Sequence, residues 1–260
     1  MDRNKENRPA SPAKKPACKK TVRTVLTAAI LACLLLGLSA CSGINLGVGG
    51  SRNDPLKVAE KLYNSKSIKI ETLVDELLNG VDGGYVSEIV KIMKKSDELC
   101  DYVDDLEDEF SEYYENVSDY CGKNFKLKFL YDEIEDYYEY SRSDLKYQRD
   151  EIRDLADECL DFAEEFRDYK SSEIRELAED LDLSTGDLKK LVSYFEKLGN
   201  KLADADVSEG YELEIEAKAT GSNLDEPEEI TLDFDVFKVN GKWISDLSLY
   251  VLEEIVDCIN

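Results

Sequence analysis

The sequence has no histidine in 260 residues, and cationic residues are scarce. Without histidine there is no imidazole base, no Ser-His-Asp or Cys-His triad and no histidine-liganded zinc site. Only 33 Lys and Arg stand against 58 Asp and Glu, so the net charge is −25. Such a chain is expected not to bind nucleic acid, whose phosphate backbone carries the same sign. Glycine-rich phosphate loops and the G-x-S-x-G motif are missing as well.

The N-terminus, by contrast, has a sharply ordered composition. Residues 1–23 are basic, and no charged residue occurs from Thr24 to Ser51. Within that stretch, residues 25–40 are apolar or small. A basic leader, a short apolar run and then small residues are typical of a secretory signal peptide. The run is slightly short for a relaxed span of a hydrocarbon core of about 30 Å.

The apolar run ends in Leu38-Ser39-Ala40-Cys41, which resembles the lipobox of bacterial lipoproteins of the Gram-positive type. The resemblance implies that the Cys41 thiol receives a diacylglyceryl group and that a signal peptidase cleaves between Ala40 and Cys41. Two acyl chains anchor a protein stably, whereas one chain binds a membrane only marginally. The alternative is an uncleaved membrane anchor that happens to contain a cysteine.

We therefore predict a lipoprotein signal peptide over residues 1–40, a flexible tether over 41–53 and a folded body over 54–260. Glycine is frequent in the tether, and Asp54-Pro55 has the composition of a helix start. Because positive charge stays inside, the body is expected at the extracytoplasmic face of the cell membrane. Membrane lipid, held through Cys41, is its first expected partner.

Four cysteines remain in the body: Cys100, Cys121, Cys159 and Cys258. Outside the cytoplasm they can form two disulfides, in three pairings. If 96–120 is one helix, Cys100 and Cys121 lie about 31 Å apart, beyond the roughly 7 Å that a disulfide spans. The remaining pairings are 100–159 with 121–258 and 100–258 with 121–159. The alternative is four free thiols, because Cys159 and Cys258 are in register with apolar residues.

Hydrophobic periodicity predicts an α+β fold, with amphipathic helices packed on a C-terminal antiparallel sheet. The helical part covers about 54–122 and 143–204, and the sheet covers about 123–133 and 208–247. A heptad-like run from Leu99 to Tyr120 fits either a coiled coil with a partner or packing within the chain. Asn240-Gly241 predicts a two-residue hairpin.

The C-terminal segment ITLDFDVFKVNGKWISDL resembles the last strands of the cystatin-like α+β roll of nuclear transport factor two-like domains. Such domains occur in lipoproteins of Gram-positive bacteria. The resemblance covers mainly 54–66, 123–133 and 207–247, and it implies a curved sheet around a helix with a cone-shaped pocket. The acidic helices between the candidate strands would then be a helical insertion. Enzymes of that superfamily use His or a pocket Asp with Tyr. This chain has no His, and no Asp can be assigned to a pocket, so no catalytic residue is carried over.

Acidic and aromatic motifs are candidate binding sites. Asp180-x-Asp182-x-Ser184 and Asp204-x-Asp206-x-Ser208 begin like EF-hand loops, but Thr185 and Glu209 occupy the position that requires glycine. The acidic run 104–109 fits either loose calcium binding or a solvated helix face. Tyr113-Tyr114 and Tyr137-Tyr138 with Tyr140 fit either a stacking surface for sugar or peptide or packing in the core.

Together these patterns predict a non-enzymatic binding or scaffolding module for a protein or small-molecule ligand. No catalytic residue, metal ligand or cofactor is assigned. Two other classes remain open. One is capture of a small ligand in a roll pocket. The other is a hydrolase acting on cell-wall material through two carboxyl groups about 5 to 10 Å apart.

Overall fold

The computed structural model describes residues 57, 60–61, 63–66, 69–71 and 81–246, of which 109–110, 131–137 and 244–246 are described by backbone alone. Within 81–246 the chain forms five helices and four strands. The helices are α1 (Tyr85–Met93), α2 (Asp97–Cys121), α3 (Arg142–Arg167), α4 (Ser171–Asp180) and α5 (Thr185–Ala203). The strands are β1 (Lys126–Glu139), β2 (Val207–Thr220), β3 (Glu228–Val239) and β4 (Lys242–Asp246).

The four strands form one sheet in the order β1-β2-β3-β4, and every neighbouring pair is antiparallel. Strands β1 and β2 are neighbours in space although α3, α4 and α5 separate them along the chain. The protein is therefore α+β, as predicted, with three helices inserted between two adjacent strands.

The alternating pattern of β2 and β3 divides the sheet into an inner and an outer face. Leu213 pairs with Phe234 and Ile215 with Leu232, and all four side chains are buried on the inner face. The residues between them point the other way and are mostly charged. The period-two signal in the sequence thus reports which face of the sheet lies against the core.

Strand β1 is longer and less regular than predicted. Phe125, Leu127 and Phe129 are buried, and the lysines between them are exposed, as the alternation requires. The strand then continues to Glu139 rather than ending near residue 133. Its register shifts twice, so that the five steps from Phe129 to Ile134 face only the two steps from Ala217 to Ile215. Such bulges increase strand twist and break the alternation, which explains the ambiguous sequence signal.

The helix ends follow side-chain signals in the sequence. Ser96 Oγ accepts a hydrogen bond from Leu99 N (3.0 Å) at the start of α2, and Ser184 Oγ accepts one from Asp187 N (3.0 Å) at the start of α5. Each serine thereby satisfies a backbone N–H that has no partner within its helix. Gly122, with φ 97°, ends α2 at the end of the predicted helical part.

The heptad-like run of α2 packs within the chain. Leu99, Val103, Tyr113 and Val117 are buried in the hydrophobic core, whereas Tyr120 is 40% exposed. On the inner face of the sheet, the Tyr63 ring lies 6.1 Å from Tyr113, 6.3 Å from Phe129 of β1 and 6.5 Å from Phe234 of β3. The rings of Phe129 and Phe234 lie 5.6 Å apart. Of the two alternatives for this run, the structure therefore supports packing within the chain.

The helical insertion has its own aromatic centre. Phe162 of α3 and Phe195 of α5 meet edge to face at 5.3 Å, and both are buried. Near the sheet, the loop after β2 closes on the end of α2. There Asn223 N donates to Cys121 O (2.9 Å), and a Cβ on Gly221 would lie only 1.9 Å from the same oxygen. Only glycine allows this approach of two backbones.

A partly buried ion cluster links three segments of the helical part. The Lys94 ammonium lies 3.0 Å from a Glu71 oxygen and 2.7 Å from a Glu107 oxygen, and Ile70 N donates to Glu107 at 3.0 Å. Burial lowers the pKa of Lys94, but its two carboxylate partners outweigh that effect and raise the pKa above 10.5. Burial likewise raises the pKa of Glu71, yet a backbone hydrogen bond and Lys94 bring the pKa below 4.5.

Candidate binding surface

The outer face of the sheet carries carboxylates opposite one another. Glu212 of β2 pairs with Asp235 of β3, and Glu214 pairs with Asp233. Three of these four side chains are exposed, and Asp235 is half-buried. Like charges directly opposite each other destabilise a sheet by a few tenths to about 1 kcal/mol. The arrangement therefore does not serve stability, which makes this face a candidate for binding.

Two tyrosines flank the carboxylates at the β1 edge. Tyr138 pairs with Glu212 across β1 and β2, and its side chain is 57% exposed. The Tyr140 hydroxyl donates to Asp235 Oδ1 at 2.6 Å. Burial and the hydrogen bond to that carboxylate both raise the pKa of Tyr140 well above its usual 10.0, so the hydroxyl stays protonated and keeps donating.

The tyrosine pair rests on a tightly packed support. The Tyr140 ring stacks on Phe237 at 5.1 Å, and Tyr138 meets Tyr140 edge-on at 5.9 Å. Beneath them Gly210 has no room for a side chain, because a Cβ there would lie 2.7 Å from Phe237 and 2.9 Å from Leu145 of α3. The first turns of α3 thus hold the aromatic edge in place while Tyr138 stays accessible.

The opposite end of the same face is cationic. Lys126 pairs with Thr220 and Lys128 with Lys218, and the two β1 lysines are exposed. Lys218 forms a cross-strand ion pair with Glu229 at 2.8 Å. From Thr220 to Glu212 is eight residues of β2, or about 26 Å at 3.3 Å per residue. The outer face is therefore bipolar, with lysines at one end and carboxylates with tyrosines at the other.

The inner face of the sheet, where a roll pocket is expected, is occupied by side chains in the described part of the chain. Tyr63, Phe129 and Phe234 are each 1% exposed and contact one another there. Tyr113 and Tyr114 are buried too, so they belong to the core and not to a stacking surface. Of the tyrosines considered for stacking, Tyr138 and Tyr140 lie at the surface, and the side chain of Tyr137 lies outside the described atoms.

The cysteines are not paired where the structure describes them. Cys100, Cys121 and Cys159 are free thiols, and Cys258 lies outside the described residues. Burial and then the charge of Glu228 raise the pKa of Cys121 to about 11. Burial and the neighbouring Asp104 carboxylate also raise the pKa of Cys100. Both thiols are therefore protonated at neutral pH and are poor nucleophiles.

The acidic motifs have ordinary structural roles. Ser184 caps α5, and Asp206 N donates to Asn240 Oδ1 at 3.0 Å beside the β3–β4 hairpin. That hairpin has positive φ at Asn240 and Gly241, the two-residue turn that the sequence predicts. In the acidic run of α2, Glu107 forms an ion pair with Lys94, whereas Asp104, Asp105 and Asp108 are exposed. Among the described residues, no group of three or more Asp, Glu or Cys side chains is arranged to hold a metal ion.

Sequence reasoning missed the carboxylate pairs. The alternation in β2 and β3 already placed Glu212, Glu214, Asp233 and Asp235 on the outward face. What it could not supply was the register, which sets Glu214 opposite Asp233 and brings Tyr138 beside Glu212. The lipobox residues Leu38, Ser39, Ala40 and Cys41 lie outside the described residues, so lipid attachment remains a prediction.

Comparison with known proteins found no match to this chain among family models, curated proteins or solved structures. Within the residues that the structure describes, no helix is both long and apolar enough to span a bilayer.

Proposed function

We propose that this chain is a membrane-anchored extracytoplasmic lipoprotein that binds a basic protein segment on the outer face of its sheet, without catalysing a reaction. The observation that carries the proposal is the exposed row of opposed carboxylates beside the accessible ring of Tyr138. Lipid attachment through Cys41 rests on the lipobox residues.

Charge favours a basic partner. Opposed carboxylates such as Glu214 and Asp233 repel each other in the free protein, and a cation placed between them relieves that repulsion. Complementary potentials of this kind accelerate association and select the partner. Because the pairs are exposed, the attraction is expected to weaken with ionic strength.

The tyrosines favour a protein over a simple cation. Tyrosine is enriched among the residues that dominate binding energy at interfaces, since it combines a large apolar ring with a polar tip. Tyr138 presents such a ring 5.9 Å from that of Tyr140, whose hydroxyl is already engaged by Asp235. An arginine or lysine side chain can lie over the exposed ring and reach the neighbouring carboxylates.

Two other functions receive less support. Capture of a small ligand inside the roll requires space on the inner face, where the rings of Phe129 and Phe234 lie 5.6 Å apart and are buried. A carboxylate hydrolase requires its two acids in a cleft that shields them from bulk solvent and admits the attacking water, whereas Glu214 and Asp233 stand on an open face.

The binding proposal is tested with the full-length protein in zwitterionic nanodiscs and a short fluorescent lysine-rich peptide. Glu214→Gln combined with Asp233→Asn removes one opposed pair, and we expect the Kd to rise by about threefold to tenfold at low salt. Asp157→Asn combined with Asp161→Asn on α3 removes the same charge from exposed positions away from the sheet. That control should change the Kd by less than about twofold.

Equal weakening by both pairs of substitutions would show that only bulk charge matters, and it would overturn the sheet as the binding surface. The anchor is tested separately by intact mass of protein isolated from its own membrane. We expect a mass for residues 41–260 plus diacylglycerol, and a mass that retains residues 1–40 would contradict the lipoprotein.

A further inference from the structure

The opposed carboxylates of the outer face are spaced regularly in two directions. Along β2, Glu212 and Glu214 are two residues apart, or about 6.6 Å at 3.3 Å per residue. Across the strands, each of them stands opposite an aspartate of β3, with Cβ atoms about 4.5 to 5.5 Å apart. The next position of the row has Glu216 opposite Thr231, so the opposed pairs end after two.

The folded body supplies no cation to these pairs. Every lysine and arginine of residues 54–260 lies in the described part of the chain. Within that part, none of them forms an ion pair with Glu212, Glu214 or Asp233. A cation that relieves the repulsion between the opposed carboxylates therefore has to come from outside the body.

Aromatic side chains orient the pair at Glu212. The Tyr140 hydroxyl donates to Asp235 Oδ1 at 2.6 Å, which holds that carboxylate in place and leaves Oδ2 to accept from a partner. Tyr138 stands opposite Glu212 on β1, and its side chain is 57% exposed. A cation at this pair would meet carboxylate oxygens together with an open ring.

A guanidinium matches this combination better than an ammonium does. Its planar fork carries five donors, which can reach two carboxylates at once, and its flat face stacks on an aromatic ring. Lysine offers a compact and strongly hydrated charge that gains less from the ring of Tyr138. The pair of Glu212 and Asp235 thus favours arginine.

The distance between the two pairs constrains the sequence of a partner. In an extended segment, side chains at positions i and i+2 point to the same side and lie about 6.6 Å apart, which is the spacing of Glu212 and Glu214. Adjacent residues point to opposite sides, so only one of two adjacent arginines would reach the sheet. Two arginines separated by one residue can therefore occupy both pairs.

We propose that the outer face recognises an extended protein segment with arginines at two alternate positions, one for each opposed carboxylate pair. The inference rests on the proposed function, because it specifies the basic partner of the same surface. The first arginine stacks on Tyr138 and bridges Glu212 and Asp235. The second bridges Glu214 and Asp233.

The test compares four short fluorescent peptides of equal length and charge, with the full-length protein in zwitterionic nanodiscs. Two peptides carry a pair of arginines, either adjacent or separated by one threonine, and the other two carry lysines at the same positions. We expect the Kd of the alternate-arginine peptide to be at least about threefold lower than that of the other three. An equal Kd for alternate arginines and alternate lysines, or for alternate and adjacent arginines, would overturn the inference.

A pair of variants separates the ring from the charges. Tyr138→Leu removes the stacking surface without changing charge, so the preference for alternate arginines over alternate lysines should fall to less than about twofold. Tyr147→Leu is the matched control, because it removes a tyrosine of α3 that is 62% exposed, and it should leave the preference unchanged. A full preference that survives Tyr138→Leu would overturn the assignment of the first arginine.

The same peptides distinguish failure of this inference from failure of the proposed function. If all four bind equally and Glu214→Gln with Asp233→Asn weakens them equally, the sheet binds basic segments without selecting arginine or its spacing. If none of them binds, the proposed function fails as well. Both also fail if Asp157→Asn with Asp161→Asn weakens the alternate-arginine peptide as much as the sheet variant does.

Discussion

The sheet and the helical insertion are both acidic, but their carboxylates are placed differently relative to cations. In the insertion, Lys146 pairs with Asp150 one turn away, and Arg167 of α3 pairs with Glu196 of α5. In the sheet, Glu214 faces Asp233 across two strands, and the nearest cation in the row, Lys218, is already bound to Glu229. These pairs stabilise the helices locally, whereas the sheet keeps an electrostatically unfavourable arrangement, which we propose is used for binding.

The largest expected effect concerns whether these two regions unfold together. Phe195→Ala in the insertion and Phe234→Ala in the sheet each remove a fully buried ring, and each should cost about 3 to 5 kcal/mol of unfolding free energy. The buried residues form one continuous cluster, so we expect one cooperative transition. Far-ultraviolet circular dichroism follows the helices, and the fluorescence of Trp243 on β4 follows the sheet.

Both substitutions should lower the two transition midpoints by the same amount. If Phe195→Ala lowered the helical midpoint and left the Trp243 midpoint unchanged, the insertion would be an independent folding unit. The helices and the sheet would then be two separate domains.

The junction between the regions gives the next largest effect. Gly221→Ala places a Cβ 1.9 Å from Cys121 O, so the loop after β2 must move away from the end of α2. We expect a loss of about 2 to 3 kcal/mol in urea unfolding. Gly186→Ala is the matched control, because a Cβ at that helical position meets nothing closer than 3.6 Å and should be neutral or slightly stabilising.

The ion cluster of the helical part makes stability depend on pH. The pKa of Glu71 is lowered in the folded state, so its contribution is present above pH 4.5 and is lost as the pH falls through the lowered pKa. The pKa of Lys94 is raised, so its contribution is present below pH 10.5 and is lost as the pH rises through the raised pKa.

Replacing Lys94 should weaken the dependence of stability on pH. Lys94→Met leaves two partly buried carboxylates without their ammonium and should cost about 1 to 3 kcal/mol near neutral pH. The loss of stability below pH 4.5 should also become shallower than in the wild type. Lys146→Met, which breaks an exposed pair on α3, should change neither quantity measurably, as judged by urea unfolding across the pH range.

The smallest predicted effect has the opposite sign. Glu214→Lys replaces a repulsive cross-strand pair with an attractive one and should stabilise the fold by about 0.5 kcal/mol. The same substitution should weaken binding of the lysine-rich peptide. A variant that is more stable and binds less would show that the opposed carboxylates favour binding at the expense of stability. Lower stability would contradict this and would mean that the carboxylates have another role.

Local signals predicted the helices and the hairpin better than they predicted the sheet. Ser96, Gly122 and Ser184 mark helix ends because caps act within four residues of chain, and Asn240-Gly241 specifies its turn directly. The extent of β1 depends on bulges opposite β2, and the pairing of Leu127 with Ala219 joins residues that three helices separate. No short window of sequence contains that information, so the proposed binding face could be predicted as exposed but not as a set of opposed pairs.

The bipolar outer face also has a consequence for how charges are screened. The lysine end of the sheet and the paired carboxylates stand about 26 Å apart along the strands. At physiological ionic strength that separation is about three Debye lengths, so the potential of the lysines has decayed almost completely at Tyr138. A cationic partner beside Tyr138 would therefore respond to the carboxylates and hardly at all to the lysines, so the length of β2 keeps the two charged ends from cancelling each other.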